Sequence, residues 1–358
     1  MKIDMGLRGQ DLRALGGEAA AYERLGVDGL WSYESAHDPF LPLLAAALST
    51  ERVTLGTGIA VAFARSPFAV AQAAWDLQRV SGGRLLLGLG TQVRAHVERR
   101  FSATFEHPAA RIVDYIRCVR AIWDTFQTGA KPAHEGRFYR FTLINDFFNP
   151  GPIAHPHIPI SLAGVGSRMA HAAGEVADGF HVHPLHSPAY LRDVARPAIA
   201  EGARAAGRDP AHVKLIASVL IVTGESEVER AVAERYARQQ IAFYASTPSY
   251  RPFLAYHGFE ELGRELSGLA RSGRFADMAA HVPDALLEAV TVSAAPACLG
   301  EAIRARYGGD LVQRVYPYAA MPADDPAGRI AALVAGIKAA EGTGAKPRLP
   351  LATRCETP

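Results

Sequence analysis

At four strand-to-helix junctions a capping residue stands directly before a proline: Asp38 and Pro39, Ser66 and Pro67, Ser187 and Pro188, Asp325 and Pro326. An Asp or Ser side chain accepts a hydrogen bond from an otherwise unpaired N–H of a first helical turn. Proline fits the first helical position because no N–H is needed there. Each pair follows a short apolar run, so each marks a strand handing over to a helix. The strands read as 1–7, 29–34, 53–61, 85–90, 158–163, 179–183, 213–223 and 311–318. Helices fall between them, among them 18–25, stopped by Gly26, and 40–48. Eight such units argue for an α/β chain of the closed (β/α)8 TIM-barrel type rather than an open sheet.

Residues 81–92 say most about where a ligand sits. Gly82 and Gly83 form a turn, and the wholly apolar run that follows suits a strand buried on both faces. Gly90 ends it, leaving room for something flat against the backbone, with Thr91 and Gln92 able to hydrogen-bond its edge. Parallel barrels bind their ligands at that end of the strands. Two long excursions, about 93–157 after strand four and 225–310 after strand seven, rise from the same mouth. The first carries an amphipathic helix with Ile112, Ile116, Val119 and Trp123 on one side, and a hairpin around 136–141. The second is mainly helical and opens on Ser226 and Glu229, a capping box. A single domain over 1–341 is expected, followed by a loose tail, 342–358, without periodicity.

Composition excludes several classes. Lys and Arg number 38 against 36 Asp and Glu, with no dense basic block, so nothing favours nucleic acid or an anionic membrane as a partner. Cys118, Cys298 and Cys355 are too scattered for a disulfide framework or a thiolate metal site. The N-terminal strand lacks the apolar core of a signal peptide, and no apolar run approaches roughly 18 residues. A cytoplasmic protein is the expectation. The 40–48 helix offers an apolar face either to the barrel or to a second copy, so a homodimer stays open.

Taken together, residues 31–40, 55–67, 81–90 and 172–179 resemble the bacterial-luciferase-like superfamily, and within it the coenzyme F420-dependent oxidoreductases. Four motifs in the right order, over roughly 2–317, are far more specific than any one. The resemblance implies a flavin or deazaflavin lying over the C-terminal mouth. It implies that Gly58 and Ile59 form a cis-peptide bulge behind the ring, and that Glu34 lies near the ring. It also implies that Gly164, Val165, Gly166, Ser167, Arg168 and Met169 hold the cofactor phosphate. That loop suits the task in its own right, since it opens a helix whose first N–H groups are unpaired.

For proton transfer the candidates are His96, Glu34 and Tyr244. Histidine's unperturbed pKa near 6.5 suits general acid or base work, and His96 falls on a mouth loop. Relatives follow the acid with a histidine, whereas this chain has Ser35, with His37 two residues on. After strand four the sugar-phosphate dehydrogenases of the branch carry a glutamate, whereas this chain has Gln92, Val93 and His96, which disfavours a sugar phosphate. His181 and His183 fall on one face of strand six, but no third metal ligand is evident. They are expected to line the pocket or bond within the core. Residues 241–250 and 256–259 concentrate aromatic and hydroxyl groups that can shape a substrate pocket.

The first reading is an F420-dependent oxidoreductase moving a hydride between the deazaflavin C5 and a small organic substrate, by C=C or C=N reduction or alcohol oxidation. The alternative is an FMN-dependent monooxygenase. A third is a cofactor-binding protein without catalysis.

Overall fold

The computed structural model describes residues 1–7, 11–318 and 326–339. The Asp325 cap, the end of the last helix at Ala340, and the tail with Cys355 lie outside them. Eight strands, β1 (Lys2–Gly6), β2 (Gly29–Ser32), β3 (Thr54–Thr57), β4 (Leu85–Gly90), β5 (Ile160–Gly164), β6 (Gly179–Val182), β7 (Lys214–Val222) and β8 (Arg314–Tyr318), each pair in parallel with the next. β8 pairs in turn with β1, through Lys2 and Arg314, which closes the barrel.

The caps work as read. Asp38 Oδ1 accepts from Phe40 N at 2.8 Å, Ser66 Oγ from Ala69 N at 3.2 Å, and Ser187 Oγ from Tyr190 N at 3.1 Å. The capping box is different in one half. Ser226 Oγ accepts from Glu229 N, but Glu229 reaches back to Glu225 N at 2.9 Å rather than to Ser226. The first helix also departs from expectation, running Leu12–Arg24 rather than from residue 18. Asp11 caps it, and Gly16 allows a close approach to the second helix. A Cβ on Gly16 would lie 2.4 Å from Ser49 Oγ beyond the second helix, Phe40–Ala47. That second helix buries Phe40, Leu43, Ala46 and Ala47, and leaves Leu41, Leu44 and Leu48 exposed.

Large and small residues interlock inside the barrel. Trp31 fills the space over Gly56, where a Cβ would sit 2.2 Å from its ring, and packs with Ile216 and Tyr316. Gly88 is required by Thr57, whose carbonyl would meet a Cβ at 1.9 Å and whose hydroxyl bonds both backbone atoms of Gly88. Near the strand N-termini, Arg314 forms two bonds of 2.7 Å to Asp4, and Trp31 Nε1 donates to Asp4 at 3.0 Å. Burial pushes the Asp4 carboxyl up against the pull of Arg314. With every oxygen bonded the pair is tolerated, and removing one partner of such a pair costs about 3–5 kcal/mol.

Both excursions rise from the C-terminal mouth. The first holds helices Arg94–Arg99 and Pro108–Thr128 and a hairpin of His134–Glu135 with Arg140–Phe141. Ile112, Ile116, Val119 and Trp123 are buried as expected. Asp114, on the same helix, pins the hairpin by accepting from Phe138 N, Tyr139 N and the His134 ring. The second excursion is helical, with Glu227–Ala245 and Glu260–Arg271 among its members, but adds a short strand, Thr291–Ser293, beside β7. It has its own apolar core around Phe253, Leu266 and Leu286, built onto Leu220 and Val222 of β7. Among the described residues no helix is long and apolar enough to cross a membrane.

Candidate active site

Around β2 to β4 the mouth is held by charge. Glu34 accepts from Val61 N at 2.6 Å and from Arg65 Nη1 at 2.7 and 2.9 Å, while Arg65 Nη2 donates to Asp38 at 2.8 Å. Burial works against the Arg65 charge, but the two carboxylates outweigh it and hold its pKa above the usual range. Between β3 and Ala60–Val61 the chain turns at Gly58 and Ile59, joined by a cis peptide. A Cβ on Gly58 would lie 3.3 Å from His181 Cε1 and 3.5 Å from Tyr33 Cε1, so the turn sits over the barrel's inner aromatic cluster.

The space above Gly90 is not free, contrary to expectation. A Cβ there would meet Ile59 Cδ1 at 2.6 Å: the glycine makes room for the bulge's own side chain. Gln92 is also partly committed. It adopts φ 57°, and its Oε1 accepts from Val93 N at 3.0 Å. Thr91 Oγ1 donates to the Gln92 carbonyl at 3.2 Å.

After β5, Gly164 is covered by Met169, 2.4 Å from where its Cβ would be, whereas Gly166 has open space beside it. Gly166 precedes the helix Ser167–Val176 and brings no side-chain cap. The amides of Ser167 and Arg168 stand ahead of the helix's hydrogen-bond ladder, which begins with Met169 and Ala170 donating to Gly166 O. Uncapped amides beside open space suit an anion. A cavity of about 580 Å³ adjoins this turn through Arg168, between the Pro108–Thr128 helix and the hairpin. Its lining sets Arg117, Arg137 and Arg168 against Asp114, Glu135 and Glu175, a balance that gives no anion preference.

Around β6 to β8 the mouth is aromatic and neutral. His181 Nε2 bonds the Tyr316 hydroxyl at 2.6 Å, and its Nδ1 is buried without a partner among the described residues. His183 Nδ1 accepts from Leu185 N at 3.1 Å, and its Nε2 bonds Tyr250 at 2.9 Å. His186 Nδ1 donates to the His183 carbonyl at 2.8 Å, and Nε2 accepts from Tyr307 at 2.9 Å. Burial lowers His181 and His183 to about 3 and His186 to about 4, so all three are uncharged at neutral pH. Burial likewise pushes the Tyr33, Tyr244, Tyr250 and Tyr316 phenols upward. Tyr244 and Tyr318 share a hydroxyl bond of 2.6 Å.

The luciferase-like monooxygenase model matches residues 2–313. The chain belongs to this luciferase-like family. It is 44% identical over 317 residues to an uncharacterised protein of Mycobacterium tuberculosis, covering 88% of this chain and 93% of the relative. It is 31% identical over 294 residues, 75% and 80% of the two chains, to a putative coenzyme F420-dependent oxidoreductase of the same organism. In fold it is similar to the coenzyme F420-dependent tetrahydromethanopterin reductase of Methanopyrus kandleri, with TM-score 0.73, 20% identity, and coverage of 94% and 97%. Membership places the chain among oxidoreductase enzymes.

For a luciferase-like chain, the placement of the candidate residues is uneven. Glu34, Gly58 and Ile59 lie on the loops that follow β2 and β3, and the 164–169 turn follows β5, all at the C-terminal mouth. Glu34, however, is held by Arg65 and Val61 and so serves to fix the β2–β3 loops. His96 is exposed on the short helix after β4 and bonds neither Glu34 nor Tyr244. Tyr244 stands across the mouth, its ring 4.4 Å from that of His183. The three do not form one constellation. His181 and His183 also part company: the first turns into the barrel toward Tyr316, the second past the strand end toward Tyr250. Among the described residues no group of three or more His, Cys, Asp or Glu could hold a metal ion. Tyr33, Arg65, Tyr316 and Tyr318 were not among the expected site residues, and Tyr250 was marked only as part of the aromatic segment 241–250. Tyr316 and Tyr318, two apart at the end of β8, are the pair a period-two reading can find.

Proposed function

We propose that the protein is an F420-dependent oxidoreductase acting on a small organic substrate. The observation that carries it is the open turn at Gly166, uncapped and backed by a helix N-terminus, on the same barrel mouth as the Gly58–Ile59 bulge. These residues fit a cofactor with a phosphate and a flat ring. The similarity, at 31% identity, to a relative named a putative coenzyme F420-dependent oxidoreductase supports the deazaflavin over FMN. When bound, F420 exchanges a hydride at C5.

The chain supplies the rest. Amides of residues 166–168, with the Ser167 hydroxyl, hold the phosphate. Ile59 and Gly58 back the ring, and Thr91 and the free Nε2 of Gln92 are left to meet its edge. Arg65 and Glu34 keep the β2 and β3 loops in register. His96, exposed beside the mouth, exchanges protons with water and passes them to the substrate side, while Tyr244 bounds the opposite wall.

The test is equilibrium titration of the purified protein with F420 and FMN, each oxidised and reduced, in the wild type and in Gly166→Asp. F420 is expected to bind preferentially. The added carboxylate, which has open space and so should not disturb folding, should weaken F420 by about 10-fold or more through repulsion of the phosphate. Preferential binding of reduced FMN would replace this reading with the oxygen-using one. Unchanged F420 affinity in Gly166→Asp would move the phosphate elsewhere.

A further inference from the structure

We propose that the wall formed by His183, Tyr244, Tyr250 and Tyr318 recognises an uncharged, flat substrate bearing a hydrogen-bond acceptor, such as an aryl or conjugated ketone. The inference deepens the hydride-transfer reading and rests on it.

The first support is shape. The His183 ring centroid lies 4.4 Å from Tyr244 and 4.7 Å from Tyr250, and the two tyrosines are 6.0 Å apart. All four residues are half-buried, and His183 and Tyr318 stand at the C-terminal ends of β6 and β8, the end of such barrels where ligands bind. Flat molecules stack against such rings.

The second is an account of protons. Leu185 N–H donates to His183 Nδ1, so in the neutral ring the proton is on Nε2, which donates to the Tyr250 oxygen. The Tyr250 proton is therefore left over. Tyr244 and Tyr318 share one hydrogen bond, which consumes one of their two protons and leaves the other. The wall thus presents two O–H donors without a partner inside it, suited to a carbonyl oxygen or an imine nitrogen.

The third is charge. The hydrogen bonds and ring contacts of these four side chains run to one another, to Phe243 and to backbone, none to an Arg, Lys, Asp or Glu. His183 stays neutral because burial holds it at about 3. A phosphate or carboxylate seated here would lose water without gaining a counter-ion. An organic cation would meet ring faces but no carboxylate, and would leave both O–H donors unused.

Three probes separate these classes: acetophenone, 4-acetylbenzoate and phenyltrimethylammonium, titrated into the full-length protein with and without F420, whose own affinity is measured first. Acetophenone is expected to bind about 10-fold or more tightly than either charged probe. Tyr250→Phe keeps the ring and removes a donor, so it should weaken acetophenone by roughly 5-fold with F420 affinity unchanged. Phe243→Lys adds a cation at a side chain that is 53% exposed and 5.5 Å from Tyr244, and should restore 4-acetylbenzoate binding. Equal or tighter binding of either charged probe to the wild type overturns the proposal, and so does a Tyr250→Phe protein that binds acetophenone like wild type. Absence of F420 binding overturns the cofactor reading alone, because the probe series without cofactor still reports on the wall.

Discussion

The two halves of the barrel mouth reach order by opposite means. Around β2 and β3, Glu34, Arg65 and Asp38 are charged groups that compensate one another. Around β6 to β8, three histidines and their tyrosines form hydrogen bonds only because none carries charge. The first arrangement is weakened by removing a partner, the second by adding a proton. A molecule seated between them meets fixed charge on one side and polarisable, neutral surface on the other.

Acid should separate the halves most sharply. His181, His183 and His186 have folded pKa values of about 3, 3 and 4, below the ordinary 6.5. Between those values the unfolded chain binds more protons than the folded one, so their stabilisation is complete above pH 6.5 and is lost as pH falls toward about 4 for His186 and about 3 for His181 and His183. Each histidine contributes a slope of about 1.4 kcal/mol per pH unit, or about 4 for the three together. The nearby charged group, Arg306, lowers His186 further, and the facing phenols stay neutral. Urea midpoints measured from pH 7.5 down to 5 should fall steeply, and His183→Gln should flatten the fall by about a third. A flat wild-type profile would mean that these rings are hydrated, and the contrast between the halves would disappear.

Glu34→Gln probes the other half, with a smaller effect expected. The variant keeps one acceptor for Val61 N but leaves Arg65 with Asp38 alone. A loss of about 1–3 kcal/mol follows from breaking a largely buried, hydrogen-bonded charge pair. It should show in the urea midpoint at any pH between 6 and 8, with little change in the acid slope. Adding salt should narrow the gap between wild type and variant only slightly, because Glu34 is 5% exposed in its side chain and poorly screened. A variant as stable as wild type would show that the backbone, not the charge, holds these loops.

The two halves were also unequally legible. Barrel order, the caps and the turn at Gly166 are written in local sequence, because a proline after a capping residue or a glycine in a turn acts on its immediate neighbours; the bulge at Gly58 came only from the family resemblance, since local pattern reads 53–61 as one strand. Gly90 was misread for the opposite reason: what fills its space is Ile59, about thirty residues earlier, and no local pattern records that approach. The first helix begins before residue 18 because Gly16 lets it approach Ser49, a contact that local sequence does not record. The Glu34–Arg65 pair and the bonds from His183 to Tyr250 and His186 to Tyr307 join residues 31, 67 and 121 apart. Residue types marked the aromatic segment as important, but only the fold could say that Tyr250 faces a histidine and that Tyr244 faces the end of β8.

Tyr244→Phe should have the smallest effect on stability and so tests the contrast at its finest. The variant removes one hydroxyl from a bond of 2.6 Å, and Tyr318, itself half-buried, can turn its own hydroxyl to water. The loss should stay within about 1 kcal/mol by thermal melting, since a neutral hydrogen bond with a solvent-reachable partner contributes little net. Its ring keeps the 4.4 Å packing on His183, so the acid slope should be unchanged. A larger loss would mean that the Tyr244–Tyr318 pair is sealed from water. The neutral half would then owe its order to a closed hydrogen-bond chain reaching from β6 to β8, with each hydroxyl dependent on the next.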